Sequence, residues 1–143
     1  MSRTVQIVFD AAEPAKVGDF WASALGYVRE SPPEGFDTWP QALEAFGVPE
    51  ALWDSADAVV DPDGSGPRLF IQKVPEGKTV KNRVHLDIRV SARGDDREVA
   101  DAAVLAEAER LESIGASRVE WREGMGSRWL VMQDVEGNEF CVT

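Results

Sequence analysis

Cysteine, histidine and basic residues are scarce in this chain of 143 residues. Its one cysteine, Cys141, cannot form an internal disulfide, so nothing in the sequence points to secretion. Fifteen basic residues against twenty-six acidic ones give a net charge of −11. This charge argues against a nucleic-acid partner, because Lys and Arg are what neutralise phosphates. No run approaches the roughly 20 apolar residues of a membrane span, and the N-terminus lacks the features of a signal peptide. We therefore predict a cytoplasmic protein without a membrane or nucleic-acid partner.

The composition is that of a globular protein, with 43% hydrophobic and 29% charged residues. Its length suits a single domain spanning residues 1–143, which is long enough to bury a core. The acidic excess has two interpretations: a solvated surface, or an anionic cavity that takes a cationic ligand.

The order of predicted elements repeats itself. Each half reads strand, helix and then three shorter strands, with an acidic turn before the last one, DPDG at 61–64 and DVEG at 134–137. The predicted strands are 5–10, 27–30, 56–60 and 67–74, then 81–90, 116–122, 129–134 and 138–143. One helix runs from Pro14 to a stop at Gly26, and another runs from a cap at Asp95 or Asp96 to about Ile114. We predict an α+β fold of two βαβββ modules, at about 4–75 and 82–143.

Residues 34–55 fit no strand and are predicted to be a helical insertion in the first module. Its Trp39 and Trp53 make it too apolar for a loose linker. A glycine-rich segment of the second module, EGMGS, precedes Trp129 and is predicted to be a tight turn or a mobile flap.

The run KNRVHLDIRV, residues 81–90, contains the only histidine of the chain. Apolar and polar residues alternate along it, which is typical of a half-buried strand. We expect the apolar set to face a helix and the polar set to face the opposite side. The apolar set is Val84, Leu86, Ile88 and Val90, and the polar set is Arg83, His85, Asp87 and Arg89. His85 then has three interpretations: an acid/base or hydrogen-bonding group in a cavity, a metal ligand, or a structural histidine paired with Asp87.

Four stretches in this order resemble the vicinal oxygen chelate superfamily, which includes glyoxalase I, bleomycin-resistance proteins and extradiol dioxygenases. They are GDFWASALGY, GPRLFIQKVPEGK, KNRVHLDIRV and DVEGNEFCV, and the likeness is closest to bacterial glyoxalase-like domain proteins. The resemblance implies curled sheets around a concave cavity, with the helices on the outer faces. It also implies that the first and last strand of each module would supply any metal ligands. These positions fall on Gln6, Gln72 (or Ile71), His85 and Cys141.

The chain departs from the enzymes of that superfamily at the positions that close each module. The enzymes have carboxylates there, whereas this sequence has Gln72 and Cys141. Amide oxygens are weak ligands for a divalent ion. We therefore expect no cofactor and no catalytic metal; a divalent metal, if bound, would be held by Gln6, Gln72 and His85. Cys141 is read as a small buried residue, or as a nucleophile with His85 as its base.

The candidate ligand-binding residues combine aromatic rings with a few polar groups, as small-molecule pockets usually do. They are Gln6, Trp39, Trp53, Phe70, Gln72, His85, Trp129 and Cys141. We place the three tryptophans at the mouth of the cavity, with anchoring of the insertion as the alternative for Trp39 and Trp53.

The resemblance predicts a homodimer that binds or sequesters a small organic molecule, as bleomycin-resistance proteins do. The alternative is an enzyme, a metal-dependent lyase or isomerase of the glyoxalase I type with His85 as its catalytic residue. A pure interaction module that pairs through exposed sheet edges is the third hypothesis.

Overall fold

A computed structural model describes all 143 residues, and the chain divides between Gly77 and Lys78 into two units with one order of elements. The first unit contains the strands β1 to β4 and the helix α1, in the order β1, α1, β2, β3, β4. Their bounds are Gln6–Ala11, Pro14–Leu25, Val28–Arg29, Ala56–Val60 and Arg68–Lys73. The second unit has the order β5, α3, β6, β7, β8, with bounds Asp87–Ile88, Arg97–Ser113, Ser117–Gly124, Ser127–Gln133 and Glu139–Val142. The predicted α+β fold of two βαβββ modules is confirmed.

Each module contains one four-stranded mixed sheet with the same connectivity. The strand order is β1-β4-β3-β2 in the first module and β5-β8-β7-β6 in the second. The opening strand pairs in parallel with the closing strand, while all other neighbours are antiparallel. The opening strand therefore lies at an edge of each sheet.

Helix α1 forms where the sequence predicts it and covers one face of the first sheet. Pro14 begins the helix, where its missing N–H is no loss, and Gly26 ends it with φ 71°. Its buried stripe includes Val17, Phe20, Trp21 and Ala24. The Trp21 ring lies 5.3 Å from the ring of Phe9 on β1, which anchors the helix to the sheet.

Helix α3 packs on the second sheet, but neither predicted side chain caps it. Asp96 immediately precedes the helix and makes no capping hydrogen bond with its side chain. The Asp95 carboxylate instead accepts a hydrogen bond from the Ala92 N–H at 2.8 Å, which closes the preceding turn. The helix contacts β6, β7 and β8. The core of this module includes Val104, Ala108, Leu111, Leu130, Met132, Phe140 and Val142.

The insertion folds back against the first module through one helix, α2 (Trp39–Ala45), and a 3₁₀ turn at Glu50–Leu52. Thr38 and Gln41 form a capping box at the start of α2, and Ala42 is fully buried.

The strand predicted at 81–90 is much shorter than its alternation suggests. Only Asp87 and Ile88 pair as β5, and Val84 is 81% exposed instead of facing a helix. In the parallel register, β8 begins opposite His85, so the residues before His85 find no backbone partner in that strand. The Glu139 side chain holds that segment instead, by accepting a hydrogen bond from the Asn82 N–H at 2.9 Å.

The glycine-rich segment EGMGS is a tight hairpin turn between β6 and β7. Gly124 pairs with Ser127, and the two residues between them, Met125 and Gly126, have φ of 50° and 77°. Two positive φ values are typical of a type I′ turn, which matches the twist of the strands it joins. No helix of the structure is both long and apolar enough to cross a membrane.

Candidate functional site

Alternation along β4 places its side chains in two environments. Leu69 and Ile71 are fully buried on the side of α1, whereas Phe70 is half-buried and Gln72 is exposed. The register of β1 on β4 puts Gln6 on the same side as Phe70 and Gln72. The predicted residues Gln6, Phe70 and Gln72 therefore share one face of the first sheet, which we call the open face.

An apolar row crosses the middle of the open face. Val8 on β1 pairs with Phe70 on β4, and Phe70 pairs with Ala58 on β3. Val8 is 47% exposed although it is a strand residue of apolar character. The Arg68 guanidinium lies 5.1 Å from the centre of the Phe70 ring, in a cation–π contact.

Polar pairs bound this row on both sides. On one side, Arg68 donates hydrogen bonds to Gln6 Oε1 at 2.9 Å and to both carboxylate oxygens of Glu30 at 2.6 and 2.8 Å. The hydrogen bond from Arg68 lowers the pKa of Glu30, and the same bond raises the pKa of Arg68, so both remain charged near neutral pH. On the other side, Gln72 Nε2 donates to Asp10 Oδ1 at 2.8 Å.

Trp39 and Trp53 both use their indole N–H groups within the first unit. Trp39 donates to the Glu30 carbonyl at 2.8 Å, and Trp53 donates to the Val48 carbonyl at 2.9 Å. The Trp39 bond ties the insertion to the end of β2, as the alternative interpretation predicts, whereas the Trp53 bond lies within the insertion. A place for either ring at the mouth of a cavity stays a prediction.

A second group of polar side chains, His85, Asp87 and Cys141, lies on the second sheet where β5 meets β8. Asp87 pairs with Cys141 in the parallel register, so both side chains emerge on one face. His85 Nδ1 lies 3.1 Å from Asp87 Oδ1 and 3.8 Å from Cys141 Sγ. The candidate ligand atoms of the three residues all lie within 4.8 Å of one another. We call these residues the module-two cluster.

Two side chains of the cluster are partly exposed to solvent, and the third is buried. The side chains of His85 and Asp87 are 41% and 45% exposed, whereas Cys141 is 5% exposed. Burial raises the pKa of the Cys141 thiol to about 11, and the charge and hydrogen bond of Asp87 add to the rise, while Lys81 opposes it. Because a nucleophilic cysteine needs a lowered pKa, these surroundings favour the small buried thiol over a Cys–His nucleophile.

Trp129 lies on β7, two residues from Val131, which pairs with Cys141. By the period of two along a strand, Trp129 and Cys141 are on the same face of the second sheet. The structure therefore places His85, Cys141 and Trp129 on one face of the second module, and Gln6, Phe70 and Gln72 on one face of the first.

The strand registers also align the two modules residue by residue. In the first module, Ala58 lies three residues before the acidic turn and pairs with Phe70 on the closing strand. In the second module, Val131 lies three residues before the acidic turn and pairs with Cys141 on the closing strand. The opening strand gives the same result, because Asp87 pairs with Cys141 as Val8 pairs with Phe70. Phe70 is therefore the counterpart of Cys141.

This alignment moves the closing position of the first module away from Gln72 and Ile71, where the resemblance put it. Gln72 lies two residues beyond Phe70 and corresponds to Thr143. Gln6 and His85 do correspond: Gln6 lies two residues before Val8, the partner of Phe70, and His85 lies two residues before Asp87, the partner of Cys141. The run GPRLFIQKV offers several alternating positions and no marker among them, so the assignment of Gln72 as a ligand position stays a prediction.

Two functional candidates were not singled out from the sequence. The sequence indicates Asp87 only as a structural partner of His85. Because the two residues are two apart along the chain, their carboxylate and imidazole lie on one face. Val8 was counted as ordinary strand sequence. Its exposure depends on the absence of a covering element, which the alternation does not reveal.

The family model for the glyoxalase-like domain matches residues 6–143 of the chain. The chain belongs to the glyoxalase-like domain family. The resemblance drawn from the four sequence stretches is thereby confirmed. No curated protein matches the sequence significantly.

Solved structures show the glyoxalase-like fold at low sequence identity. A possible glyoxalase from Bacillus cereus is 12% identical with a TM-score of 0.59, and the match covers 100% of this chain and 99% of that one. A glyoxalase/bleomycin resistance protein/dioxygenase family enzyme from Burkholderia phytofirmans is 12% identical with a TM-score of 0.61, covering 96% and 94%. The fosfomycin resistance protein FosX from Listeria monocytogenes, complexed with Mn(II), is 10% identical with a TM-score of 0.62, covering 99% and 89%. At these identities the likeness shows the fold alone.

The donors of this glyoxalase-like domain do not fit a hard ion such as the Mn(II) of FosX. In the first module the corresponding positions hold Gln6, Val8 and Phe70, and the Gln6 oxygen already accepts a hydrogen bond from the Arg68 cation. In the second module one of the three donors is a thiol sulfur, whereas Mn(II) prefers carboxylate, carbonyl and water oxygens.

Proposed function

We propose that this glyoxalase-like domain binds a small organic molecule on the open face of its first module and needs no divalent metal to do so. The observation that carries this proposal is the exposed Val8 and half-buried Phe70, beside the buried Ala58, between two polar pairs. Binding sites for small molecules commonly combine an apolar surface with a few polar groups that fix orientation.

The charges favour a cationic ligand with a flat apolar part. Arg68 is the positive group on the open face, and Glu30 already neutralises it. Asp10 leaves a carboxylate on the other side of the row, and the chain carries a net charge of −11. The structural neighbour from Burkholderia phytofirmans is a glyoxalase/bleomycin resistance protein/dioxygenase family enzyme, and we therefore choose bleomycin as the cationic probe. Sequestration of such a molecule, in the cytoplasm, is the role we propose.

A lyase of the glyoxalase I type is the second candidate, and the closing positions argue against it. Such an enzyme uses carboxylates there to hold its metal. The counterparts in this chain are a phenyl ring and a buried thiol, at Phe70 and Cys141.

The proposal is tested by calorimetric titration of the chelator-treated protein with metal-free bleomycin. We expect binding by the wild type and at least tenfold weaker binding by Phe70→Ala, because a ring buried against the ligand contributes about 1.5–3 kcal/mol. Phe46→Ala is the matched control, since Phe46 lies in the insertion, is 59% exposed and contacts Phe36. Its affinity should stay within about twofold of the wild type. Anionic fosfomycin is the comparison probe and should bind more weakly than bleomycin.

Two results would contradict the proposal. One is the absence of bleomycin binding, or equal affinity in the wild type and Phe70→Ala. The other is metal-stimulated isomerisation of the hemithioacetal of methylglyoxal and glutathione, which would establish the lyase instead. Thermal unfolding of each variant confirms that the comparison is made between folded proteins.

A further inference from the structure

Two glutamine side chains lie at opposite ends of the open face. Gln6 is two residues before Val8, and Gln72 is two residues after Phe70, the strand partner of Val8. We propose that these amides give the face a donor end and an acceptor end, which select an elongated ligand with a neutral carbonyl end, a flat apolar middle and a cationic end. This inference rests on the proposed function and adds the class of the ligand and its orientation.

The orientation of the Gln6 amide is fixed by a cation. Arg68 donates a hydrogen bond to Gln6 Oε1 at 2.9 Å, and a guanidinium has no acceptor that the amide nitrogen could use. Glu30 accepts hydrogen bonds from two other nitrogens of the same guanidinium and holds it in place. The Gln6 oxygen therefore turns toward Arg68, and the NH₂ group of Gln6 is left as a donor for a ligand.

The Gln72 amide has the opposite orientation, because its neighbour is an anion. Gln72 Nε2 donates to Asp10 Oδ1 at 2.8 Å, and a carboxylate has no hydrogen that it could donate to the amide oxygen. Gln72 Oε1 and Asp10 Oδ2 are thus left as acceptors, and both side chains are exposed. The next residue across the sheet is Ala56, whose methyl group adds no donor. This end of the face therefore accepts hydrogen bonds.

The charges of the two ends differ in the same sense. At the donor end, the Arg68 cation forms an ion pair with Glu30 at 2.6 Å, so the pair has no net charge. At the acceptor end, the Asp10 carboxylate is bonded to an uncharged amide. A ligand cation is attracted to Asp10, where charge strengthens the hydrogen bond, and a ligand anion is repelled there. A neutral carbonyl suits the donor end, because the Gln6 NH₂ group is itself uncharged.

Strand geometry sets the length of such a ligand. Residues two apart on a strand are separated by about 7 Å, so Asp10 lies about 7 Å from the apolar pair and about 13 Å from Gln6. The apolar pair is the exposed Val8 beside the half-buried Phe70, a surface that suits one aromatic ring. The expected ligand class is an aryl-alkyl amine with a carbonyl group on the other side of the ring.

Matched aromatic probes test the acceptor end in the full-length, chelator-treated protein, by titration followed in amide NMR spectra. Phenylbutylamine, phenylbutanol and phenylbutyrate share a ring and an alkyl chain and differ in the charge of the end group. We expect the wild type to bind the amine about fivefold more tightly than the alcohol, and the carboxylate more weakly than either. Asp10→Asn should bind the amine and the alcohol equally, because it removes the charge and keeps an acceptor oxygen.

Asp96→Asn is the matched control, because Asp96 is an exposed carboxylate of the second module whose side chain makes no capping hydrogen bond. Its preference for the amine should equal that of the wild type. The donor end is tested with the para-acetyl derivative of phenylbutylamine. The wild type should bind this derivative about threefold more tightly than the parent amine, as expected for one added hydrogen bond, and Gln6→Leu should abolish the difference.

Four results would overturn this inference. They are an amine preference that Asp10→Asn does not change, a preference of the wild type for the carboxylate, no binding of phenylbutylamine, and a gain from the acetyl group that Gln6→Leu does not reduce. Each of them can occur while Phe70→Ala still weakens bleomycin binding, so the proposed function and its ligand class fail separately. Spectra recorded without a probe report whether each variant is folded.

Discussion

At the scale of single residues, Cys141 shows how position decides chemistry. The same thiol would be reactive beside a cation or at a helix N-terminus, but here it lies at the floor of the module-two cluster, 5% exposed and next to Asp87. Burial and the Asp87 carboxylate both disfavour the thiolate, which is the reactive form.

We predict slow alkylation of Cys141 in chelator-treated protein. A pKa of about 11 in place of 9.0 leaves about a hundredfold less thiolate at neutral pH, in addition to the restricted access. The rate with iodoacetamide should still rise between pH 7 and pH 9, and Asp87→Asn should react faster because it removes a charge that raises the pKa. A rate that reaches a plateau by pH 8 would show an ordinary or activated thiol. Asp10→Asn is the control, because Asp10 is an exposed carboxylate of the first module, and this variant should react like the wild type.

At the scale of elements, Glu139 on β8 replaces missing backbone pairing with side-chain contacts. Its carboxylate accepts a hydrogen bond from the Asn82 N–H at 2.9 Å and forms an ion pair with Lys78 at 3.0 Å. Burial alone would raise the pKa of Glu139, but the Asn82 N–H and the Lys78 ammonium outweigh it and lower the pKa to about 2. The segment before β5 is held to the sheet in this way.

We predict that Glu139→Gln lowers the free energy of unfolding by about 1–2 kcal/mol at pH 7. The amide oxygen can still accept the Asn82 N–H bond, but it lacks the charge that strengthens this bond and pairs with Lys78. Because the folded pKa lies below the ordinary 4.5, this stabilisation is fully present above about pH 4.5 and disappears as the pH falls toward 2. Urea unfolding at several pH values measures the difference between the two proteins. The exposed Glu109→Gln on α3 is the control, with little expected change at pH 7. A difference that stays constant down to pH 2 would be inconsistent with this ion pair.

At the scale of the whole molecule, the edges of the two sheets bear on assembly. Strands β1 and β5 are edge strands, and unpaired edges tend to find partners. Exposed apolar side chains of the first module, including Val5, Val8 and Val28, add surface that association could cover.

We predict a homodimer in solution. Light scattering coupled to size exclusion should give a mass of about 31 kDa at micromolar concentration, twice the 15.7 kDa of one chain. Val5→Lys, which adds a charge beside the edge strand β1, should shift the protein toward the monomer. Lys16→Glu on α1 is the control and should leave the mass unchanged. A mass near that of one chain for the wild type would exclude the dimer.

Local patterns were sufficient to predict the elements. The Pro14 and Gly26 signals located α1, strand-like runs on either side of the DPDG turn located β3 and β4, and the repeated acidic turns indicated the two modules. These features depend on neighbours in the sequence, so they can be read from it. The sequence predicts a cap at Asp95 or Asp96, but neither side chain caps α3, because the Asp95 carboxylate closes the preceding turn instead.

Sequence patterns were enough to identify the family, the order of elements and the opening-strand positions Gln6 and His85. Strand pairing in the folded chain sets the extent of β5, the place of Phe70 as the counterpart of Cys141, and the meeting of His85, Asp87 and Cys141. The physical reason is that these features depend on which residues of distant strands are paired. A period of two fixes the two faces of a strand, but the partner strand fixes where pairing begins and which side chains meet.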